Sequence, residues 1–121
     1  MKVRELMHHP VHTVEAGEHA EAAFARMRAE GVRHLVVVSE GEVLGVVSER
    51  DLGGDRGCMT RIGQAVGELL SGAAVTAHPE LEVRDAAALL NGCRIGCLPV
   101  VDQGELVGIV TRSDLLELLS E

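Results

Sequence analysis

The sequence contains an internal duplication, and this feature limits the fold more than any other. When the 121-residue chain is shifted by 63 positions against itself, Val3–Leu52 aligns with Val66–Leu115 without a gap. About 15 of the 50 aligned residues are identical. Such similarity predicts two units with the same architecture. We therefore predict a first repeat over residues 1–52, a linker over 53–65 and a second repeat over 66–121.

Each repeat has the same order of predicted elements. A short helical entry segment and a brief extended piece lead to a helix, predicted over Glu18–Glu30 and Glu82–Asn91. Gly31 and Gly92 are the predicted helix stops. Two apolar strands joined through a central glycine then predict a hairpin. The strands are predicted over His34–Ser39, Val43–Ser48, Cys97–Asp102 and Leu106–Thr111, and a short last helix follows in each repeat, over Arg112–Leu119 in the second.

This β-α-β-β-α order predicts a mixed fold of the α/β (α+β) class. One repeat has only a small sheet and cannot cover both of its faces. We therefore expect the two repeats to pack sheet to sheet with pseudo-twofold symmetry, which would leave two equivalent clefts between them. Apolar residues make up 46% of the chain and suffice for a core, although Phe24 is the single aromatic residue.

The second strand of each hairpin ends in the same motif, which spans Gly45–Leu52 and Gly108–Leu115. A β-branched pair suits a strand end, and Ser48 or Thr111 with an aspartate three residues later is typical of a helix start. The unpaired N–H groups and the dipole at a helix start suit an anion such as phosphate. A capping box without any ligand is the alternative interpretation of a single copy.

The charge and composition exclude several classes of partner. The formal net charge of −8 argues against nucleic acid or an anionic membrane, because both require clustered Lys and Arg. No apolar run approaches the roughly 20 residues that cross a bilayer, and no signal peptide begins the chain, so we expect a cytoplasmic protein. Three cysteines do not predict a disulfide framework, and we expect Cys93 and Cys97 to be buried or unreactive.

Two groups of side chains are weaker candidates for function. Arg50 and Arg112 lie at the predicted helix starts, where they would clamp phosphates or simply face solvent. The N-terminal histidines have no Cys or carboxylate partner at metal-ligand spacing, so we expect exposed or cleft-facing side chains and no metal site. These histidines are His8, His9, His12 and His19.

Together these features resemble a tandem pair of CBS domains, the arrangement known as a Bateman module. The resemblance extends from Val3 to Leu116 and rests on the entry segment Val3–Met7, a threonine in each repeat, the strand entry Ile95–Asp102 and both Gly-x-x-Ser/Thr-x-x-Asp stretches. It implies a regulatory module that binds AMP, ADP, ATP, NAD or S-adenosylmethionine in the clefts, with no cofactor required. It also implies a homodimer that acts on an unknown effector protein in trans.

The resemblance assigns roles to matching residues. Asp51 and Asp114 would hold the ribose hydroxyls, because an ionised carboxylate offers two acceptor oxygens, and Ser48 and Thr111 would contact phosphate. We expect the second repeat to have the better-formed base pocket. The remaining candidate contacts to base or phosphate are Thr13, Val32, His34, Arg50, Thr76, Ile95, Cys97, Pro99 and Arg112.

Two functions are left open by the sequence. The first is a non-enzymatic sensor of adenosyl ligands, since no nucleophile lies beside a base and no Walker-type loop is present. The second is a structural dimerisation module with empty clefts. An enzyme that hydrolyses nucleotides with Asp51 or Asp114 would use the same residues, but ribose binding explains them more simply.

Overall fold

The computed structural model describes residues 1–70 and 74–120. Residues 71–73 and 121, which belong to the predicted second repeat, lie outside the described part. The helices are α1 (Ala20–Glu30), α2 (Cys58–Arg61), α3 (Val83–Gly92) and α4 (Arg112–Leu119), with 3₁₀ helices at Val3–Glu5 and Val66–Leu69. The strands are β1 (Thr13–Glu15), β2 (His34–Ser39), β3 (Glu42–Ser48), β4 (Cys97–Asp102) and β5 (Glu105–Thr111). The predicted mixed α and β class is confirmed.

Both predicted hairpins form, and they keep the 63-residue spacing of the duplication. β2 pairs antiparallel with β3, β4 pairs antiparallel with β5, and each pairing has one register shift at the equivalent point. Each turn places two residues at positive φ, with Gly41 at 82° and Gly104 at 80° in the second position. This turn geometry matches the right-handed twist of the flanking strands, which explains the central glycine of each connection.

The chain forms two compact units that do not follow the sequence repeats. The continuous unit is His12–Ala74, and the split unit combines Met1–Val11 with Val75–Glu121. Each unit therefore contains the helix and hairpin of one repeat together with the entry segment of the other. The repeats describe sequence similarity, whereas the units describe packing.

The split unit is closed by the N-terminal entry segment. Backbone N–H groups of Val3 and Arg4 donate to the carbonyls of Leu81 and Pro79 at 2.8 and 2.9 Å. His8 then pairs antiparallel with Ile109 at the outer edge of β5, while Ala77 pairs in parallel with β4. The entry segment thus extends a two-stranded sheet and covers one of its edges.

The continuous unit is closed in the equivalent way by the second entry segment. Its sheet has the order β1-β2-β3, with β1 parallel to β2. Val66 and Gly67 donate to the carbonyls of Glu18 and Ala16, both at 2.9 Å. Val66 and its counterpart Val3 are fully buried, so each entry segment contributes to the core of the unit it closes.

Each unit has its own aliphatic core. In the continuous unit Phe24 and Met27 of α1 pack with Leu35, Val37 and Val47 of the hairpin. In the split unit the three hairpin positions have the same residues, and Leu90 stands where the first repeat has Met27. The buried residues of this unit include Val3, Ala86, Leu90, Leu98, Val100 and Val110. Burial of such side chains contributes roughly 25 cal/mol per Å² of apolar surface, which makes these clusters the main source of stability.

Several predicted details are wrong, each for a local reason. No helix follows β3, where the chain makes a turn through residues 49–53, and α2 forms inside the segment predicted to be a linker. Gly92 is the last residue of α3 and not its stop, because Arg94 takes the left-handed conformation instead, with φ of 53°. Of the two cysteines expected to be buried or unreactive, Cys97 is buried and Cys93 is exposed.

The ends of α1 and α3 lead to opposite predictions for one substitution. Gly31 has φ of 68° at the C-cap of α1, so Gly31→Ala should lower the free energy of unfolding by about 1 kcal/mol. Gly92 lies in α3 with open space beside its Cα, so Gly92→Ala should raise that free energy by about 0.5–1 kcal/mol. Urea unfolding of both variants measures the difference, and equal signs would contradict the assigned backbone conformations.

Candidate functional site

The candidate residues of the continuous unit gather at one end of its sheet. β2 begins at His34 and β3 ends at Ser48, and these two residues are paired directly. Thr13 begins β1, which runs parallel to β2, so it lies at the same end of the sheet. Thr13 is exposed, and its carbonyl accepts a hydrogen bond from Arg26. Val32 is half-buried and packs against the core just before this end.

The split unit repeats this arrangement. Cys97 at the start of β4 pairs with Thr111 at the end of β5. Exposed Thr76 precedes the short parallel pairing of Ala77 with β4, which puts it beside the same end of the sheet. Two other candidates serve the core, since Ile95 packs against the hydrophobic cluster and Pro99 is buried within β4.

The hydroxyl residue and the aspartate of each motif hold one another by two hydrogen bonds. In the first motif Ser48 N–H donates to Asp51 Oδ2 at 2.8 Å, and Asp51 N–H donates to Ser48 Oγ at 3.0 Å. In the second motif Thr111 N–H donates to Asp114 Oδ2 at 2.8 Å, and Asp114 N–H donates to Thr111 Oγ1 at 3.2 Å. Each motif therefore presents a hydroxyl whose proton is still available beside a carboxylate.

The two motifs lead into different backbone structures. Thr111 is the N-cap of α4, so its bond to Asp114 caps an eight-residue helix. Ser48 and Asp51 make the same bonds where no helix follows, because the chain turns through residues 49–53. Helix capping alone therefore accounts for the hydrogen bonds of the second motif. In the first motif the same bonds stabilise a local turn and cap no helix.

The aspartates also differ in burial and in partners. Asp51 is exposed, and its Oδ1 has no hydrogen-bond partner within the described residues. The Asp114 side chain is only 8% exposed, and its Oδ1 lies 2.5 Å from His8 Nε2 of the entry segment. The second carboxylate is therefore engaged on both oxygens, whereas the first leaves one oxygen open.

The two candidate arginines behave differently. The Arg112 guanidinium donates to the carbonyls of Ile95 and Leu90 at 3.0 and 3.2 Å, so it braces the end of α3 against α4. The guanidinium has five N–H groups, so those not used in these two bonds can still donate to a ligand phosphate. Arg50 is exposed in the turn after Ser48, where it is open to solvent.

Burial tunes the protonation of His34. The pKa of its imidazole is lowered from the ordinary value of 6.5, mainly by burial. The nearby negative charge of Asp51 opposes this shift and the positive charge of Arg33 adds to it. His34 is therefore predominantly neutral at neutral pH and presents a hydrogen-bonding ring without a charge beside the first motif.

A buried arginine fixes the chain after the first motif. It lies in the segment predicted to be a linker. Arg61 is 4% exposed, and its guanidinium lies 3.8 Å from the centroid of the Phe24 ring. It donates to the carbonyls of Leu52 and Gly54 at 2.8 and 2.7 Å and to Glu21 at 3.0 Å. No local pattern marks Arg61, because its side-chain partners Glu21 and Phe24 are brought to it by the tertiary fold.

The remaining polar groups do not form a second site in the part of the chain that the structure describes. Among those residues no group of three His, Cys, Asp or Glu side chains is placed to hold a metal ion. His12 lies 3.4 Å from Glu30 in a partly exposed pair. Across residues 1–70 and 74–120, no helix has both the length and the apolarity that crossing a membrane requires.

Comparison with known proteins identifies relatives across nearly the whole chain. The family model described as the CBS domain matches twice, over residues 3–52 and 66–121. The CBS domain-containing protein YhcV of Bacillus subtilis is 33% identical over 114 residues, which span 93% of this chain and 81% of that protein. Both matched segments contain a complete copy of the hydroxyl and aspartate motif.

Solved structures show the same fold. The CBS-domain containing protein ATU1752 from Agrobacterium tumefaciens superposes with a TM-score of 0.82 at 25% identity, covering 98% of this chain and 99% of that one. The CBS domain pair of protein MJ0100, in complex with 5′-methylthioadenosine and S-adenosyl-L-methionine, superposes with a TM-score of 0.87 at 24% identity. That match covers 99% of this chain and 96% of that one.

The lowered pKa of His34 predicts a pH-dependent stability. A neutral imidazole is favoured in the folded state, so its contribution is complete above about pH 6.5 and is lost as the pH falls below that value. As the pH falls from about 7.5 to 5.5, the free energy of unfolding of the His34→Gln variant should therefore rise relative to that of the wild type. Urea unfolding across this range measures the gain, with His19→Gln, an exposed histidine of the same unit, as the control. A difference that does not change with pH would contradict the burial of His34.

Proposed function

Because this chain belongs to the CBS domain family and carries two copies of the domain, we propose that it is a regulatory module binding an adenosyl ligand at its two motifs. The ligand class comprises AMP, ADP, ATP, NAD, S-adenosylmethionine and close derivatives. Asp51 and Asp114 hold the ribose hydroxyls, and Ser48 and Thr111 donate to phosphate or to the group that replaces it. The module acts on a separate effector protein by population shift.

The observation that carries this proposal is the geometry of the first motif. Ser48 and Asp51 form a two-way hydrogen-bonded pair, although no helix follows that would need a cap. The pair leaves an exposed carboxylate oxygen as an acceptor and a hydroxyl proton as a donor. A ribose with two neighbouring hydroxyls needs such an acceptor, and a phosphate needs such a donor.

The surroundings of the first motif fit the adenine and the phosphate of the same ligand. His34 lies directly across the strand pair from Ser48 and is kept neutral by burial, so it can accept or donate a hydrogen bond to an adenine edge. Exposed Arg50 in the following turn supplies a positive charge for phosphate. It offsets locally the repulsion between an anionic ligand and a chain with a net charge of −8.

A structural dimerisation module is the second candidate, and the outer face of α4 favours it. Leu116 and Leu119 are 65% and 81% exposed, which is unusual for large apolar side chains on one short helix. Beside them lies a shallow cavity of about 160 Å³. Residues lining the cavity are Ala87, Leu90, Asn91, Arg112, Leu115 and Leu116. A homodimer that buries these leucines is compatible with ligand sensing as well as with a purely structural role.

A thermal-shift panel of AMP, ADP, ATP, NAD, S-adenosylmethionine and 5′-methylthioadenosine tests ligand sensing. Ligand at about 100 times its Kd stabilises the folded state by about 2.7 kcal/mol, which raises the melting temperature by several degrees. Asp51→Asn and Asp114→Asn should each weaken binding at the altered motif about tenfold or more, since a hydrogen bond to a charged group is lost. The double variant should show a melting-temperature shift no larger than about half that of the wild type.

Asparagine is chosen because it keeps the acceptor for the Ser48 or Thr111 N–H and so preserves the local turn. Arg56→Gln, an exposed residue outside both motifs, is the matched control for loss of one charge. A flat panel with all variants folded would reject the sensor and leave the structural module.

Sedimentation velocity tests the structural candidate separately. Leu116→Glu combined with Leu119→Glu should convert a dimer to a monomer, because two charges would be buried at the α4 face. Glu105→Gln, an exposed change on the same unit, should leave the sedimentation coefficient unaltered. A monomeric wild-type chain would exclude dimerisation through this face.

A further inference from the structure

The second motif carries a contact that the first motif lacks among the described residues. His8 Nε2 lies 2.5 Å from Asp114 Oδ1, while Asp114 Oδ2 already accepts the N–H of Thr111. Both carboxylate oxygens are therefore occupied before any ligand arrives. The carboxylate that the proposed function assigns to ribose binding is shielded to 8% exposure.

The entry segment holds His8 in this position. The His8 N–H donates to the Ile109 carbonyl at 2.9 Å, and the Ile109 N–H donates to the His8 carbonyl at 3.0 Å. Next to this pairing, a Cβ atom at Gly108 would lie only 2.6 Å from Met7 Sδ, so glycine leaves the space in which the Met7 side chain packs on β5. The backbone is fixed, but the His8 side chain is 65% exposed and is free to rotate into solvent.

The duplication shows that the contact is particular to one motif. Residue 71 is the counterpart of His8 in the other repeat, and it is a serine, which carries no imidazole. Asp51, the counterpart of Asp114, is exposed and keeps one oxygen without a partner within the described residues. The two motifs thus share the hydroxyl and the aspartate, whereas the sequence position aligned with His8 has a different residue.

We propose that His8 is an affinity-determining residue of the second motif, where its imidazole competes with ligand hydroxyls for Asp114 Oδ1. This inference rests on the proposed function. Ligand binds at Asp114 only when His8 rotates away, so the first motif fills at a lower ligand concentration than the second. A ring nitrogen that donates to a carboxylate makes a charge-assisted bond, with which a neutral ligand hydroxyl has to compete.

The side chains around His8 leave its imidazole facing Asp114. Asp114 on α4 is the carboxylate that faces the ring, and the adjoining Arg112 guanidinium is turned onto the Leu90 and Ile95 carbonyls. β5 contributes only the backbone of Ile109 to the contact, and the entry segment adds the neighbouring exposed His9. Asp114 is therefore the carboxylate for which the His8 imidazole and a ligand hydroxyl compete.

Calorimetric titration with 5′-methylthioadenosine in an Asp51→Asn background isolates the second motif. This probe has no phosphate, so it reports on the ribose contact at Asp114. Adding His8→Ala should tighten binding about fivefold, the value of one net hydrogen bond. His8→Ser, the residue of the other repeat, should act in the same direction and guards against a folding defect in the alanine variant.

His78→Ala is the matched control. His78 belongs to the same unit and lies 3.4 Å from Asp102, at the hairpin end of the sheet away from Thr111. The His78→Ala variant should leave the affinity unchanged. Binding that appears only after His8 is replaced would also support the competition. Weaker or unchanged binding in both His8 variants would overturn the proposal, as would binding confined to Asp51. Absence of binding in the wild type and every variant would reject the proposed function itself, and the role of His8 with it.

Discussion

The exchange of entry segments is the constraint on which the rest of the structure depends. Each 3₁₀ helix forms its backbone hydrogen bonds with the other repeat, as when Val3 bonds to Leu81 and Val66 to Glu18. Salt bridges reinforce the first segment, as between Lys2 and Glu82 at 2.9 Å, but exposed pairs of this kind contribute little. The buried valines and the satisfied backbone groups close each unit, because an unpaired buried N–H would cost more than such a pair returns.

The elements that could be predicted from sequence are those set by neighbours along the chain. Both hairpins were predicted within one residue, because a glycine turn between apolar runs determines pairing locally. The helix expected after Ser48 does not form, since the chain turns there and Arg61 binds the carbonyls of the next residues. The left-handed residue after α3 is Arg94 and not Gly92, and it stands at the position that Gly31 occupies in the first repeat.

The candidate site divides in the same way. The pairing of Ser48 with Asp51 and of Thr111 with Asp114 follows from a three-residue spacing, and the hydrogen bonds of both motifs match it. The contact of His8 with Asp114 joins residues 106 positions apart, so no spacing rule could reveal it. The duplication makes the motifs similar in sequence, and the long-range partner makes them chemically different.

The path of the chain also has consequences for truncation of such a protein to one repeat and for fusion of two repeats. The continuous unit is inserted into the split unit, so a single repeat taken alone would lack the segment that closes its own sheet. Two identical single-repeat chains would have to trade entry segments, which is domain swapping between copies. Fusion of those copies end to end would turn an intermolecular exchange into the intramolecular one observed, at a higher effective concentration. Later substitutions such as histidine at 8 and serine at 71 could then make the two halves unequal.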